Sequence, residues 1–207
     1  YRQKLKLATK LLSRVVETAD DFDRYFNEQL QRLQTKKLDF YLLHALNARS
    51  WAKVRDLGVL SWAEDQIARG RIDYLGFSFH DNYEVFREII DAYDNWTLCQ
   101  IQYNYMDIDY QAGTRGLKYA ADKGLAVVVM EPIRGGRLAS TPEQIAKLWT
   151  KAQHQRTPAE WALQWVWNQP EVSFALSGMS TMEQVVENVA AAERSGVGIL
   201  TIEESSL

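Results

Sequence analysis

The stretch "LAVVVME", residues 125–131, is the clearest strand in the sequence, because its β-branched residues follow one another without polar alternation. A strand that is apolar on both faces is typical of a parallel sheet covered by helices. Five more strands are predicted at residues 4–9, 38–44, 72–78, 97–104 and 172–178. Residues with helical spacing lie between them, at 20–34, 59–69, 82–93, 116–124 and 181–194, and two further helices open with Thr-Pro. The sequence therefore predicts an α/β fold of six strand–helix units in strict order.

Two architectures fit this alternation, an open doubly wound sheet and a (β/α)8 TIM barrel. A doubly wound dinucleotide fold should carry Gly-x-Gly-x-x-Gly after an early strand, and this sequence has no such motif there. The barrel is favoured, although it needs eight units and typically about 250 residues. We expect residues 1–207 to form one incomplete barrel domain, truncated at both ends, with about six of the eight units. An opened barrel exposes its inner layers, so further residues or a partner chain should cover the gap.

Composition and charge limit the function classes. The chain of 207 residues is 46% hydrophobic and has a net charge of −3, which argues against a broad nucleic-acid surface. Cys99 is the single cysteine, so the chain forms no disulfide within itself and holds no iron–sulfur cluster, and a cytoplasmic location is expected. No apolar run approaches the roughly 20 residues of a membrane helix. The acidic run "DDFD" (20–23) is interpreted as a helix start, and no metal site is predicted.

Lys10 and His44 each close an apolar stretch that is predicted as a strand. A strand-end lysine can simply extend to water, and a strand-end histidine can satisfy a backbone carbonyl. In a barrel, however, functional side chains collect where the strands end. On neighbouring strands the two side chains would face the same opening at the C-terminal end of the barrel, which we call the mouth. This shared position favours a functional role.

Seven short segments follow one another along the chain: "LATK" (7–10), "DFYLLH" (39–44), "GRIDYLGFSFH" (70–80), "QIQYNYMD" (100–107), "VVVMEPIRGGRLA" (127–139), "LSGM" (176–179) and "QVVEN" (184–188). Together they resemble the aldo-keto reductase family. The likeness is strongest to its bacterial and archaeal branch, whose members often carry a ferredoxin-like C-terminal extension. The resemblance implies a TIM barrel that transfers a hydride between a nicotinamide cofactor and a small-molecule aldehyde or ketone.

The resemblance also implies a catalytic tetrad of Tyr, Lys, Asp and His. Lys10 and His44 match the family lysine and histidine. The family aspartate and tyrosine lie upstream of the lysine, and Tyr1 is too close to Lys10 to be that tyrosine. We therefore expect half of a tetrad, and little or no reductase turnover from residues 1–207 alone.

The implied cofactor is NADP or NAD, with NADP slightly favoured by the family. Phe79 replaces the family's usual Asn, Met130 replaces a stacking aromatic, and Gln184 replaces a basic residue that often selects the 2′-phosphate. The cofactor-binding residues implied by the resemblance are Ser78, Gln100, Met130, Glu131, Pro132, Ile133, Arg134, Gly135, Gly136, Gly178, Met179, Ser180, Gln184, Glu187 and Asn188. Arg134 or Arg137 is expected to meet phosphate, and Gln184, Glu187 and Asn188 are expected near the adenosine end.

Two alternatives remain open. One is a non-catalytic nicotinamide-nucleotide-binding module of the same fold with a regulatory role. The other is a barrel hydrolase with Glu131 and Asp107 as paired carboxylates, which is disfavoured because it leaves Lys10 and His44 without a role.

Three remaining features have local interpretations. His80 is predicted to act as a cap or to make a local hydrogen bond, and His154 to be solvated. Thr201 and Glu204 form a Thr-x-x-Glu capping box, which predicts a helix start.

Overall fold

The computed structural model describes residues 4–206, so Tyr1 lies outside the described residues. Its six strands are β1 (Ala8–Leu11), β2 (Leu38–Leu46), β3 (Ile72–Phe79), β4 (Leu98–Gln102), β5 (Ala126–Met130) and β6 (Val172–Ala175). All six form one parallel sheet in the order of the chain. A doubly wound sheet reverses its strand order at a switch point, and this sheet does not. The predicted α/β barrel is confirmed, and it is incomplete because β1 and β6 are not paired with each other in residues 4–206.

Helices connect the strands, as parallel pairing requires. They are α1 (Asp20–Arg32), α2 (Ala48–Asp56), α3 (Val59–Ala68), α4 (Tyr83–Asp91), α5 (Gly113–Asp122), α6 (Glu143–Trp149), α7 (Pro158–Trp167), α8 (Met182–Glu193) and α9 (Ile202–Ser205). Short 3-10 turns lie at Ser13–Val15 and Arg137–Ala139. Within the described residues, none of the helices combines the length and the apolar character needed to cross a membrane.

The structure corrects the predicted start of two elements. β1 begins at Ala8 rather than at residue 4, because the Leu7 N–H donates to the Asp39 carboxylate (2.8 Å) instead of joining the strand ladder. The helix predicted to start with Thr141 as its cap starts instead at Glu143, and no side chain caps it. The second Thr-Pro pair behaves as predicted, since the Thr157 hydroxyl accepts a hydrogen bond from the third residue of α7.

Helix α2 was not predicted. Its cap is a reciprocal pair in which Asn47 Oδ1 accepts from Ser50 N (2.9 Å) and Ser50 Oγ accepts from Asn47 N (3.0 Å). This Asn-x-x-Ser signal is visible in the sequence, and Trp51 and Val54, three residues apart, form the buried face of the helix.

The two faces of the sheet differ in their surroundings. The outer face packs beneath the helices, and its fully buried side chains include Tyr41, Leu43 and Phe77. The inner face carries the alternate residues. Among these, the paired rings of Phe40 and Tyr74 stack at 5.2 Å, and Tyr74 remains 44% exposed. The inner face is therefore an apolar surface that is only partly covered by the described chain.

Gly76 on β3 lies opposite Leu98 on β4, and a Cβ there would come within 2.6 Å of the Leu98 carbonyl oxygen. We expect Gly76→Ala to destabilise the fold by about 1–3 kcal/mol, because the added Cβ would collide with the Leu98 backbone. That backbone cannot rotate aside as a side chain could. Urea unfolding measures this change. Gly196→Ala is the control, since nothing lies within 4 Å of its added Cβ. Equal midpoints for the two variants would contradict the close approach of β3 and β4.

Candidate active site

Lys10 and His44 lie on the inner face near the C-terminal ends of β1 and β2. Lys10 is paired with Leu42, and His44 stands two residues further along the same face of β2. Both side chains are half-buried. The Lys10 carbonyl accepts a hydrogen bond from Gln29 Nε2 at 2.8 Å, which holds this strand against α1. Among the described residues, no carboxylate forms an ion pair with the Lys10 ammonium.

A β-bulge follows His44. The pairing of β2 with β3 shifts between Leu43 and Leu46, so β2 contains one residue more than its partner. Ala45 takes the left-handed conformation there, with φ of 52°, which is uncommon for alanine. Its N–H donates to Ser78 Oγ at 2.8 Å. Ser78, 1% exposed, therefore fixes the backbone beside His44.

The electrostatic surroundings keep His44 neutral. Burial lowers the pKa of His44 below its ordinary value of 6.5, and the positive charges of Lys10 and Arg14 lower it further, together with a contribution from His80. A neutral imidazole carries one proton and one free lone pair, so it can donate a hydrogen bond to a carbonyl oxygen. The described structure thus brings the two predicted catalytic residues to one mouth in a chemically useful state.

Ser78 and Gln100 are neighbours across β3 and β4, as their paired register shows. Gln100 is buried, and its Nε2 lies 3.3 Å from the sulfur of Met130 on β5. These three predicted cofactor residues therefore form one row across neighbouring strands. Ser78 and Gln100 lie on the floor of the mouth and line neither of the two cavities described below, whereas Met130 lines both.

A cavity of about 840 Å³, which we name the loop cavity, lies between the loop after β5 and the start of α8. Every predicted cofactor residue of these two segments except Arg134 lines it. Its walls are formed by Met130, Glu131, Pro132, Ile133, Gly135, Gly136, Ala139, Thr157, Pro158, Ala159, Leu176, Ser177, Gly178, Met179, Ser180, Gln184, Glu187 and Asn188. The two segments that carry the predicted cofactor residues thus meet around one space, together with the start of α7.

Polar side chains around the loop cavity are held by one another. Gln184 Oε1 accepts from Ser180 N at 2.7 Å, within the capping box that starts α8. Asn188 Nδ2 donates to Ser177 Oγ at 3.1 Å. The Thr157 hydroxyl donates to the Glu187 carboxylate. The cavity wall is therefore preorganised before any ligand enters.

Arg134 faces a second cavity of about 760 Å³, the mouth cavity, which adjoins the loop cavity along Met130 and Glu131. The Arg134 Nη2 atom lies 3.2 Å from Asp107 Oδ1. The sequence places Arg134 with the loop residues, but this ion pair holds its side chain on the other side of the loop. As a phosphate ligand, Arg134 stays a prediction.

Asp107 is committed to structural contacts. Besides Arg134, its carboxylate accepts hydrogen bonds from Gln102 Nε2 (3.2 Å) and Asn104 Nδ2 (3.0 Å). A carboxylate that accepts from three donors is a poor general base. This arrangement argues against a hydrolase that uses Asp107 with Glu131.

His80 Nδ1 lies 3.4 Å from Gln111 Nε2, and because the two residues are 31 positions apart this contact is tertiary rather than local. Sequence reasoning missed Thr157 and Pro158 as cavity residues. The Thr-Pro pair was visible as a helix start, but nothing in the sequence indicates that this start faces the loop after β5. The part of the chain from residue 4 to residue 206 contains no group of three or more His, Cys, Asp or Glu side chains that could hold a metal ion.

We expect Ser78→Ala to destabilise the protein by about 1–3 kcal/mol, because the Ala45 N–H beside the bulge loses its acceptor. The same change should broaden or shift the His44 ring signals in an NMR spectrum. Ser140→Ala, at an exposed position, is the control. Unchanged stability together with unchanged His44 signals would rule out a role of Ser78 in holding the bulge.

We expect Lys10→Met to raise the pKa of His44 toward 6.5, because a nearby positive charge is removed. In the unchanged protein the contribution of His44 to stability is present above pH 6.5 and lost as pH falls below it, since the unfolded chain binds the proton more readily. An NMR titration of the ring protons measures the pKa. Lys6→Met, which removes a charge paired with Asp39, should leave it unchanged.

Comparisons with known proteins agree with this geometry. The aldo/keto reductase family profile matches residues 1–196. An aldo-keto reductase from Bacillus halodurans in its holo form is 25% identical, with a TM-score of 0.80 over 99% of this chain and 71% of that one. The aldo-keto reductase from Klebsiella pneumoniae in complex with NADPH is also 25% identical, with a TM-score of 0.77 over 99% and 69%. The uncharacterized oxidoreductase YrpG of Bacillus subtilis is 24% identical over 93% of this chain and 68% of its own length. The resemblance drawn from the sequence is thus confirmed: the chain belongs to the aldo/keto reductase family, and its family and fold support an oxidoreductase.

Proposed function

We propose that the protein transfers a hydride between a nicotinamide cofactor and a small-molecule aldehyde or ketone. The observation that carries the proposal is the loop cavity, where two distant segments with the predicted cofactor residues form one wall. Lys10 and His44 lie at the same C-terminal edge of the sheet as this cavity, on β1 and β2. A relative of the same fold is known in complex with NADPH, which favours NADP as the cofactor. The cytoplasmic location and the single barrel domain stay predictions.

The residues around the loop cavity fit a dinucleotide. An added Cβ at Gly136 or Gly178 would have nothing within 4 Å, so the backbone there is open to close approach by a ligand. The N-terminus of α8, a helix of twelve residues, opens beside Ser180 and favours negatively charged groups. Ser78 and Gln100 supply polar groups in the floor of the mouth for the nicotinamide carboxamide. When bound, the nicotinamide supplies or accepts the hydride.

His44 and Lys10 would act on the carbonyl. The neutral His44 ring donates a hydrogen bond to the carbonyl oxygen and orients it. The Lys10 ammonium stabilises the negative charge that develops on that oxygen. A general acid must also deliver a proton to the oxygen. In the family this acid is the tyrosine upstream of the lysine.

A regulatory module that binds the nucleotide without turnover is the second candidate. It would use the loop cavity, where the predicted cofactor residues meet, without needing a general acid at the mouth. The two candidates share the loop cavity and differ in the use of the mouth. Nucleotide binding alone does not separate them, whereas turnover does.

We expect the full-length protein to bind NADP or NAD in calorimetric titration and to reduce a simple aldehyde. His44→Ala should lower kcat/KM by about 10² or more, because the carbonyl loses its orienting donor, while nucleotide affinity stays the same. Spectrophotometric oxidation of the reduced cofactor measures turnover. Lys36→Ala, at an exposed position just before β2 and therefore at the opposite end of the sheet from the mouth, is the control. Binding without turnover would favour the regulatory module, and failure to bind either nucleotide would refute both candidates.

A further inference from the structure

Glu204 in α9 is a buried carboxylate that accepts hydrogen bonds from the segment before α7. Its side chain is 1% exposed, and its oxygens accept from Arg156 Nη1 (2.9 Å), His154 N (3.1 Å) and Thr201 N (3.2 Å). Burial alone would raise the pKa of Glu204. The hydrogen bonds from Arg156, Thr201 and His154 outweigh burial and lower the pKa to about 2. Glu204 is therefore ionised at neutral pH and fixes residues 154–156.

The His154 side chain is 58% exposed, in agreement with its predicted solvation, and its Nδ1 also lies 3.2 Å from Glu204 Oε1. Arg156 is enclosed on its other side. Its guanidinium carbon stands 4.5 Å from the centre of the Trp161 ring, and only 7% of its side chain is exposed. Neutralising Glu204 would leave this guanidinium buried without its carboxylate, which forces the segment to rearrange.

Thr157 follows Arg156 directly and belongs to the loop cavity. It caps α7 by accepting a hydrogen bond from Glu160 N at 3.1 Å, and it donates to the carboxylate of Glu187 on α8. Glu187 lines the same cavity, whereas Glu204 does not. A shift of Arg156 therefore reaches the cavity wall through Thr157 and Glu187.

We propose that Glu204 is a positioning residue for the adenosine half of the bound nucleotide, acting through Arg156 and Thr157. The inference rests on the proposed function, in which Glu187 and its neighbours receive the adenosine end. The Thr201–Glu204 capping box then has a second role beyond starting α9. Its carboxylate also sets the position of a cavity wall formed by two other helices.

The test is calorimetric titration of the full-length protein with ADP and, separately, with nicotinamide mononucleotide. We expect Glu204→Gln to weaken ADP binding by about tenfold, since the wall on the adenosine side loses its anchor. Binding of nicotinamide mononucleotide should change by less than about twofold, because Ser78 and Gln100 lie on other strands. Arg156→Lys keeps the charge but loses the forked geometry, and it should show the same selective loss to a smaller degree. This milder variant also serves if Glu204→Gln does not fold.

Asp21→Asn is the matched control. The Asp21 carboxylate also accepts from two backbone N–H groups, of Glu17 (2.8 Å) and Thr18 (3.0 Å), and pairs with an arginine, Arg24. Its pKa is likewise about 2, but it lies in α1. The Asp21→Asn variant should therefore have a lower melting temperature than the unchanged protein and the same affinity for ADP.

Three outcomes would count against the inference. If Glu204→Gln or Arg156→Lys binds ADP as the unchanged protein does, Glu204 has no positioning role. Equal losses for both ligands would mean general destabilisation and would also overturn it. Failure of the unchanged protein to bind ADP or the dinucleotide would refute the proposed function itself, which is a distinguishable result.

Discussion

The site depends on one constraint of the backbone, which is that every strand pair in the sheet is parallel and follows chain order. Parallel hydrogen bonding sends the C-terminal ends of all strands to the same edge. Lys10, His44, Ser78, Gln100 and Met130 come from five consecutive strands, yet the register places them in one band at that edge. Residues that are up to 120 positions apart can then share one mouth without any loop holding them together.

Within this regular frame, the site needs one irregular feature. An unbroken ladder would continue from His44 to Leu46 with strict alternation of faces. The extra residue in β2 changes the direction of the strand just after His44, and Ala45 adopts a conformation that is strained for alanine. The hydroxyl of Ser78 satisfies the N–H that the bulge removes from the ladder. Ser78 can do this while its own proton remains available to a ligand.

The order and type of most elements could be predicted, because continuous apolar stretches such as β5 and capped helices such as α8 show in the sequence directly. The bulge could not be predicted, since an alanine at positive φ has no sequence signature. The orientation of Arg134 also could not be predicted, because it depends on Asp107 in a different loop. The family resemblance grouped Arg134 with its chain neighbours, and a single tertiary ion pair separates its side chain from them.

The two halves of the site are stabilised by different physics. The mouth is built on strands, where the sheet fixes each side chain and burial with nearby cations keeps His44 neutral. The loop cavity is built from loops and from the starts of α7 and α8, and loops are more mobile unless they are tied down. Here Gln184, Glu187 and Asn188 each hold a hydrogen bond to a neighbouring wall residue. A wall already ordered in this way loses less conformational entropy when a ligand binds, so these internal contacts contribute to affinity without touching the ligand.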